Sequence, residues 1–243
     1  MIYLQTDLIY YQDGYKTSLT TEIQRVIQNG DKLIVFLDAT IFYPFGGGQP
    51  SDQGLIATQN GKANVIDVQM RDGIVEHTCT LIEGSVEEGE EATLTLDWNR
   101  RHFNMRVHSA GHLIHDVLMQ MVDGLTPGHG NHGSKPFLEY SPEVANLPSK
   151  EALQEAVNKI IQEGRKIITR ETSYDELRQL AKFIPPNLPR NKPLRIIQID
   201  GFHAMPDGGT QVRDAKEIGR VEITSVNSSN GKVTIKYRVY DAN

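Results

Sequence analysis

"WNRRHFNMRVHSAGHLIHDVLMQMV", residues 98–122, is where the sequence changes its period. Upstream, apolar residues alternate in short runs. Here they recur at Phe103, Val107, Ala110, Gly111, Ile114, Val117, Leu118 and Met121, the spacing of a helix with one core-facing stripe. At about 100° per residue, His108, His112 and His115 fall roughly 80° to 140° away from Val107 and form a face of their own with Met105 and Met119. Imidazoles at i and i+4 stand one above the other, which is how a helix offers two of them to a single Zn²⁺. Alone the pair is weak evidence, because histidines scattered on an exposed helix are common.

Working outward, the segment from Tyr3 to about Leu96 reads as strands. "DKLIVFLDATIFY", "ANVIDVQMRDGIVEHTCTL" and "EATLTLDW" alternate, and Asn29-Gly30, Asn60-Gly61 and Asp72-Gly73 supply hairpin turns. Downstream, a helix is expected from about Ser149, its N-cap, to Thr169, with Leu153, Val157, Ile160, Ile161 and Ile167 inward. A shorter helix covers "YDELRQLAKF" and stops before Pro185-Pro186. "LRIIQID" and "RVEITSVNSSNGKVTIKYRVY" return to strand, the latter turning at Asn230-Gly231. The expected fold is α+β: a small antiparallel β-barrel domain over residues 1–96, then an α+β domain over 97–243 with an antiparallel sheet packed against helices.

The 243 residues exceed what one ordinary core needs, which agrees with two domains. A single cysteine, Cys79, excludes a disulfide framework and a multi-cysteine zinc knuckle, so any metal must be held by His and carboxylate. Cys79 itself reads as a small buried hydrophobe in an alternating strand. No apolar run approaches the ~20 residues that span a bilayer, so we expect no membrane association and a cytoplasmic location. The net charge of −6 argues against a protein that coats nucleic acid non-specifically. A local basic face remains open: Arg100, Arg101 and Arg106, "GRKIITR" and "RNKPLR" are its candidates, with Arg100 and Arg101 foremost. The bland alternative is solvated charge.

A zinc used in catalysis keeps three protein ligands and one open position. The candidate region for the third ligand is "GFHAMPDGGTQVRDAKEIG", residues 201–219, with His203, Asp207 and Gln211 between two strands and a Gly208-Gly209 pair that permits a tight turn.

The pairing of "RRHFNMRVHSAGHLIHDVL" with "DGGTQVRDAKEIG" resembles the free-standing alanyl-tRNA editing proteins and the editing domain of alanyl-tRNA synthetase. In that family a helical H-x-x-x-H and a loop C-x-G-T-H together hold a zinc. "LDATIFYPFGGGQPSDQG" is similar to the family's glycine-rich segment, and the length resembles its medium-sized class. The resemblance implies that residues 97–243 form an alanyl/threonyl-tRNA synthetase-like editing domain. It also implies an ATP-independent hydrolase, acting in translation fidelity, that deacylates Ser-tRNA or Gly-tRNA for alanine, with aminoacylated tRNA as partner and one zinc or another divalent metal per chain.

The departures from the family are Asp207 where it has Cys and Gln211 where it has the last His. Three arrangements stay open: His108, His112 and Asp207 hold the metal with Gln211 supporting or binding weakly; His203 supplies a third imidazole with Asp207 orienting it; or the metal is lost. A bound metal activates water, or holds the substrate's free α-amino group. Gly209 and Thr210 are candidates for an oxyanion hole or for a bond to a serine hydroxyl. Gly47, Gly48, Gln49 and Tyr43 are candidates for contacting the aminoacyl end, with Tyr43 or Phe45 stacking on a base. The loop "HGNHGSKPF" is expected to line the pocket entrance, and His129 and His132 are outside candidates for ligation. His115 is read as a supporting hydrogen-bond donor or as the edge of the helix face. The competing readings are a metal-depleted tRNA- or aminoacyl-binding module, and a metal-dependent hydrolase of another aminoacyl ester or amide.

Overall fold

The computed structural model describes residues 5–242, so the start of the strand-rich segment at Tyr3 lies outside the described residues. The chain is mixed α+β and divides into two compact units, Met1–Phe103 and Asn104–Asn243.

Six strands of the first unit close into a barrel. In order around it they are Ser18–Asn29, Lys32–Leu37, Ile74–Gly84, Gly61–Arg71, Gly54–Ala57 and Glu91–Leu96, the last pairing back to the first, and every neighbouring pair is antiparallel. The alternation that marked these strands turns Ile23, Val35, Leu37, Ile56, Val65, Val75, Cys79 and Leu94 inward. Burial pushes the Cys79 thiol up to about 12, so it stays protonated, the behaviour of a packing group. Two turns use left-handed backbone as expected. Asp72 and Gly73 both have positive φ, and Gly30 takes φ +63. Asn60-Gly61 also sits in a hairpin connection, between Gly54–Ala57 and Gly61–Arg71, where the Thr58 N–H donates to the Gly61 carbonyl at 2.8 Å. Gly61 does not take positive φ there; its glycine answers a close backbone approach, since a side chain would meet the Ser85 carbonyl oxygen at 2.4 Å.

The helix spans Trp98–Met121. Its expected single apolar stripe understates its burial: from Asn104 to Gly111 every residue is buried, while Phe103 and Met121, placed in the stripe, are exposed. In the second unit an antiparallel sheet runs in the order Arg220–Ser229, Lys232–Tyr240, Phe137–Ser141, Thr126–Asn131. The last of these occupies part of the segment expected to be a pocket loop. The helix lies against this sheet, since the Tyr237 hydroxyl donates to the Val107 carbonyl at 3.1 Å.

Ser149 caps the next helix, its hydroxyl accepting from the Ala152 N–H at 3.1 Å. That helix is shorter than expected. It covers Lys150–Glu163 and stops at Gly164, which takes a left-handed φ of 74°, the usual C-terminal stop. The residues beyond form a strand, Ile167–Thr172, which pairs with Leu194–Ile199 and through it with Met205–Pro206. The short helix Tyr174–Leu180 packs Leu177 against Leu194, Ile196 and Ala204. This second sheet carries Asp207 directly after its last strand.

Candidate metal centre

Helical spacing brings the Nε2 atoms of His108 and His112 to one side of the helix. Asp207, from the turn after Met205–Pro206, meets them: its Oδ1 lies 3.4 Å from His108 Nε2 and 3.7 Å from His112 Nε2. The three ligand atoms all fall within 4.8 Å of one another, so His108, His112 and Asp207 form a group able to bind a metal ion. His108 is 1% exposed, and the Nε2 of His112 is buried without a hydrogen-bond partner.

The other carboxylate oxygen explains why Oδ1 faces the histidines. Oδ2 accepts from the Gly209 N–H at 3.0 Å and from Gln211 Nε2 at 2.8 Å. Gln211 is itself fixed, its Oε1 accepting from the Ser109 hydroxyl at 2.6 Å, while Ser109 Oγ accepts from the Val212 N–H at 3.1 Å. Burial opposes ionisation of Asp207, but His108, His112 and Gln211 outweigh it and hold the carboxyl well below the usual range. Burial lowers His108 to about 4 despite the nearby carboxylate, so the site pairs an anion with an imidazole kept neutral at physiological pH, the protonation states that metal ligation requires.

His132 completes the surroundings. Its ring centroid is 4.4 Å from that of His108, and its Nδ1 is 2.8 Å from the Tyr237 hydroxyl. Since that hydroxyl donates to Val107, it accepts from Nδ1–H, which leaves the lone pair of His132 on Nε2. Burial holds His132 well below its ordinary value. Room for the ring exists because residue 111 is glycine: a Cβ there would meet His132 Cε1 at 2.4 Å. A cavity of about 750 Å³ lies alongside, lined by His112, His115, Asp116, His132, Tyr140 and His203 among others.

Several candidate residues stand elsewhere. His203 is exposed, with Nδ1 3.3 Å from the Leu180 carbonyl oxygen, and lies outside the ligand group although it lines the cavity. Gln211 is in contact with Asp207 and Ser109, the role of a support. The Gly209 N–H already donates to Asp207, which argues against an oxyanion hole at that atom; Thr210 is buried. The Gly208-Gly209 turn is closed by the Asp207 side chain, with neither glycine at positive φ.

In the first unit, Gly47 and Gly48 take φ +55 and +78 in a tight turn closed by Gly46 and Gln49 backbone bonds of 2.9 and 3.3 Å. Gln49 is fully buried, and the buried Tyr43 donates its hydroxyl to the Gly46 carbonyl at 3.0 Å, so Tyr43 offers no face to a base; Phe45 is exposed. Arg101 contradicts the nucleic-acid reading. It is 0% exposed, ion-paired with Asp52, and donates to the carbonyls of Gly14 at 2.7 Å and Ile41 at 2.6 Å. A guanidinium so enclosed cannot reach phosphate. Arg100 is half-buried, with Nε on the Ser51 carbonyl at 3.0 Å, and Arg106 is pinned to Ile218, Tyr240 and Asp241.

Sequence comparison relates the chain to known proteins. The family described as tRNA synthetases class II (A) matches residues 4–100. The alanyl-tRNA editing protein AlaX-M of Saccharolobus solfataricus is 30% identical over 252 residues, covering 96% of this chain and 99% of that protein. The chain belongs to the alanyl-tRNA editing protein family. Two larger relatives share the region: an AlaX-L protein of Pyrococcus horikoshii, 33% identical over 88% of this chain and 53% of its own length, and an alanine–tRNA ligase of Pyrobaculum neutrophilum, 30% identical over 91% and 25%. The chain therefore spans about half of the first editing relative and a quarter of the ligase. Ser109, Asp116, His132, Tyr140 and Tyr237 lie beside the His108–His112–Asp207 group or line its cavity, and sequence reading passed them over or set them aside. Asp116 carried a signal, falling four residues after His112 on the same helix face. Tyr237 carried none, because its partner His132 is 105 residues away.

Proposed function

We propose that the chain is a trans-editing hydrolase that deacylates Ser-tRNA or Gly-tRNA for alanine, with the second unit as its editing domain and a divalent metal held by His108, His112 and Asp207. The observation that carries the proposal is the convergence of two helical imidazoles and one carboxylate oxygen beside a cavity of about 750 Å³. The residues fit a metal. Bonds of about 2.0–2.2 Å in a tetrahedral arrangement set neighbouring ligand atoms roughly 3.3–3.6 Å apart, and the carboxylate oxygen stands 3.4 and 3.7 Å from the two nitrogens. The orphaned His112 Nε2 also fits, since a buried ring nitrogen without a partner is otherwise costly. Two nitrogens and a carboxylate oxygen suit Zn²⁺, and also Mn²⁺ or Fe²⁺.

The need for such an enzyme is physical. A synthetase pocket shaped for alanine rejects serine only about 10²-fold, because a hydrophobic pocket discriminates weakly against an added hydroxyl. A second hydrolytic step supplies the rest. Water adds to the ester carbonyl carbon, the bond from that carbon to the ribose oxygen breaks, and the proton from water passes to the leaving oxygen. A bound divalent ion would supply Lewis acidity to the carbonyl or to the attacking water. Asp207 contributes the negative charge, Gln211 and Gly209 fix its rotation, and His108 and His112 present their Nε2 atoms to the ion. A cytoplasmic location follows from the substrate, and no helix of the described residues is long and apolar enough to cross a membrane.

The test is deacylation of Ser-tRNA and Gly-tRNA for alanine by the native chain, the chelated chain and His112→Ala. Loss of turnover in the last two is expected. Equal turnover in all three refutes a catalytic metal, and no turnover in any, with tRNA still bound, favours a binding module.

A further inference from the structure

One turn beyond His112, the cavity wall holds two polar groups without hydrogen-bond partners. Asp116 is 6% exposed and its Oδ2 is unpartnered; Tyr140 is 2% exposed and its hydroxyl is unpartnered. Both line the cavity together with His112 and His115. Asp116 follows His112 by four residues, which stacks the two side chains about 5–6 Å apart at Cβ on one face. Tyr140 comes from the strand Phe137–Ser141, and its ring stacks on His115 with centroids 5.7 Å apart. Burial raises the Asp116 carboxyl well above its usual range and pushes the Tyr140 phenol up, and it lowers His115 to about 4. Each unmet buried group costs free energy comparable to a lost hydrogen bond, and buried polar groups as a rule find a partner.

The chemistry of the wall specifies that partner. Facing a cation, the Asp116 carboxyl gives up its proton and then accepts only; a phenol oxygen accepts as well as donates, and a neutral imidazole has one lone pair. Lys182 is the one Lys or Arg among the lining residues, and its ammonium donates to the Met119 carbonyl at 3.3 Å. A surface rich in acceptors and poor in cations suits a small primary ammonium. An aminoacyl ester carries one, two bonds from the carbonyl carbon, so an ester whose carbonyl faces the metal-binding histidines can turn its ammonium toward the next helical turn.

We infer that Asp116 and Tyr140 recognise the free α-ammonium of the aminoacyl group; this rests on the hydrolase reading above. The assignment decides between the two uses of a metal left open by the sequence. With the amine held by the protein, the histidine and Asp207 end is left to the carbonyl and its water. Asp116 is then a specificity-determining residue, separate from the ligand set.

The test uses the full, zinc-loaded chain and two non-hydrolysable probes: adenosine bearing L-serine through a 3′-amide, and the same compound N-acetylated, which has no ammonium. Calorimetry on the native chain should show the free amine bound at least about tenfold more tightly. Asp116→Asn and Tyr140→Phe should each weaken the free amine by about 10- to 100-fold, leave the acetylated probe unchanged and leave zinc affinity unchanged. A purely structural role would weaken both probes together, and that result overturns the inference, as does a native chain without preference. Tyr140→Phe keeps the test decisive if Asp116→Asn folds poorly. Amine preference in a chain that does not deacylate Ser-tRNA would sink the hydrolase reading and keep the ammonium site; deacylation without the preference would do the reverse.

Discussion

Gln211→Leu removes one of the two donors that hold Asp207 in place. In the native chain Oδ2 accepts from Gly209 N–H at 3.0 Å and from Gln211 Nε2 at 2.8 Å, and the amide is anchored by Ser109 at 2.6 Å. With leucine, one bond to the carboxylate and the anchor both go, while the backbone bond remains. The buried carboxylate then gains rotational freedom, and Oδ1 no longer faces His108 and His112 in a single pose. Outer partners of this kind are worth about 10- to 100-fold in metal affinity, or about 1.4–2.7 kcal/mol. Zinc dissociation constants measured by competition with a chromophoric chelator, on native and variant chains of matched melting temperature, read this directly. Turnover should fall in step at sub-saturating zinc and recover at excess zinc. An unchanged zinc affinity would refute the orienting role, and a tighter one would mean that Gln211 competes with the metal for Asp207.

Other perturbations test the frame around the site. His77 is fully buried, with Nδ1 3.0 Å from the Val35 carbonyl and Nε2 2.9 Å from Thr40 Oγ1, and burial lowers it to about 4. Its folded value lies below the ordinary 6.5, so the unfolded chain binds the proton first and stability falls as pH drops from about 6.5 to about 4. At about 1.36 kcal/mol per pH unit the loss is about 3 kcal/mol, and urea unfolding of His77→Gln should lack that share of the acid slope. Asp52→Ala leaves the Arg101 guanidinium buried and unpaired and should cost about 3–5 kcal/mol, whereas a paired Asp52→Leu, Arg101→Met chain should recover most of it. Neither should alter tRNA affinity through lost phosphate contacts; a reduced salt slope for the double variant would restore Arg101 as a nucleic-acid contact. Gly111→Ala drives a methyl against His132 and Tyr237, at 2.4 and 2.8 Å before relaxation. It should destabilise by about 1–3 kcal/mol in thermal melts.

What was legible in the sequence is what depends on local spacing. The change of period at Trp98, the i, i+4 register of His108 and His112, the Ser149 cap and the Asp72-Gly73 turn each need only a few neighbouring residues. The misreadings are long-range. Arg101 looks like a surface charge because its partner Asp52 lies 49 residues upstream, and only barrel closure brings them together. The helix placed up to Thr169 ends at Glu163 because Gly164 adopts a left-handed stop and "KIITRET" finds a strand partner in Leu194–Ile199. A helix expected to show one buried stripe is buried nearly all round over the histidine segment, since a sheet and a loop approach it from faces that periodicity cannot see.

The two departures from the family motif become one change when read through the geometry. A thiolate has one ligating atom, but a carboxylate has two, and the second needs donors if it is buried. Gln211 stands four residues after Asp207 and supplies such a donor at 2.8 Å, where the family has a ligating imidazole. Gln211→His alone, with Asp207 kept, would leave Oδ2 one donor short unless the new imidazole turned from the metal toward it. Asp207→Cys alone would give the Gln211 amide a poor acceptor. On the ligation proposed above, the pair present here would keep a negative ligand and trade a fourth ligand for a support, so a metal held by His108, His112 and Asp207 would have fewer protein ligands and more positions for substrate and water. Restoring both positions, with Asp207→Cys and Gln211→His together, should therefore tighten zinc more than the two single changes combined, as read by the same chelator competition. Strictly additive affinities would refute the coupling between the two positions.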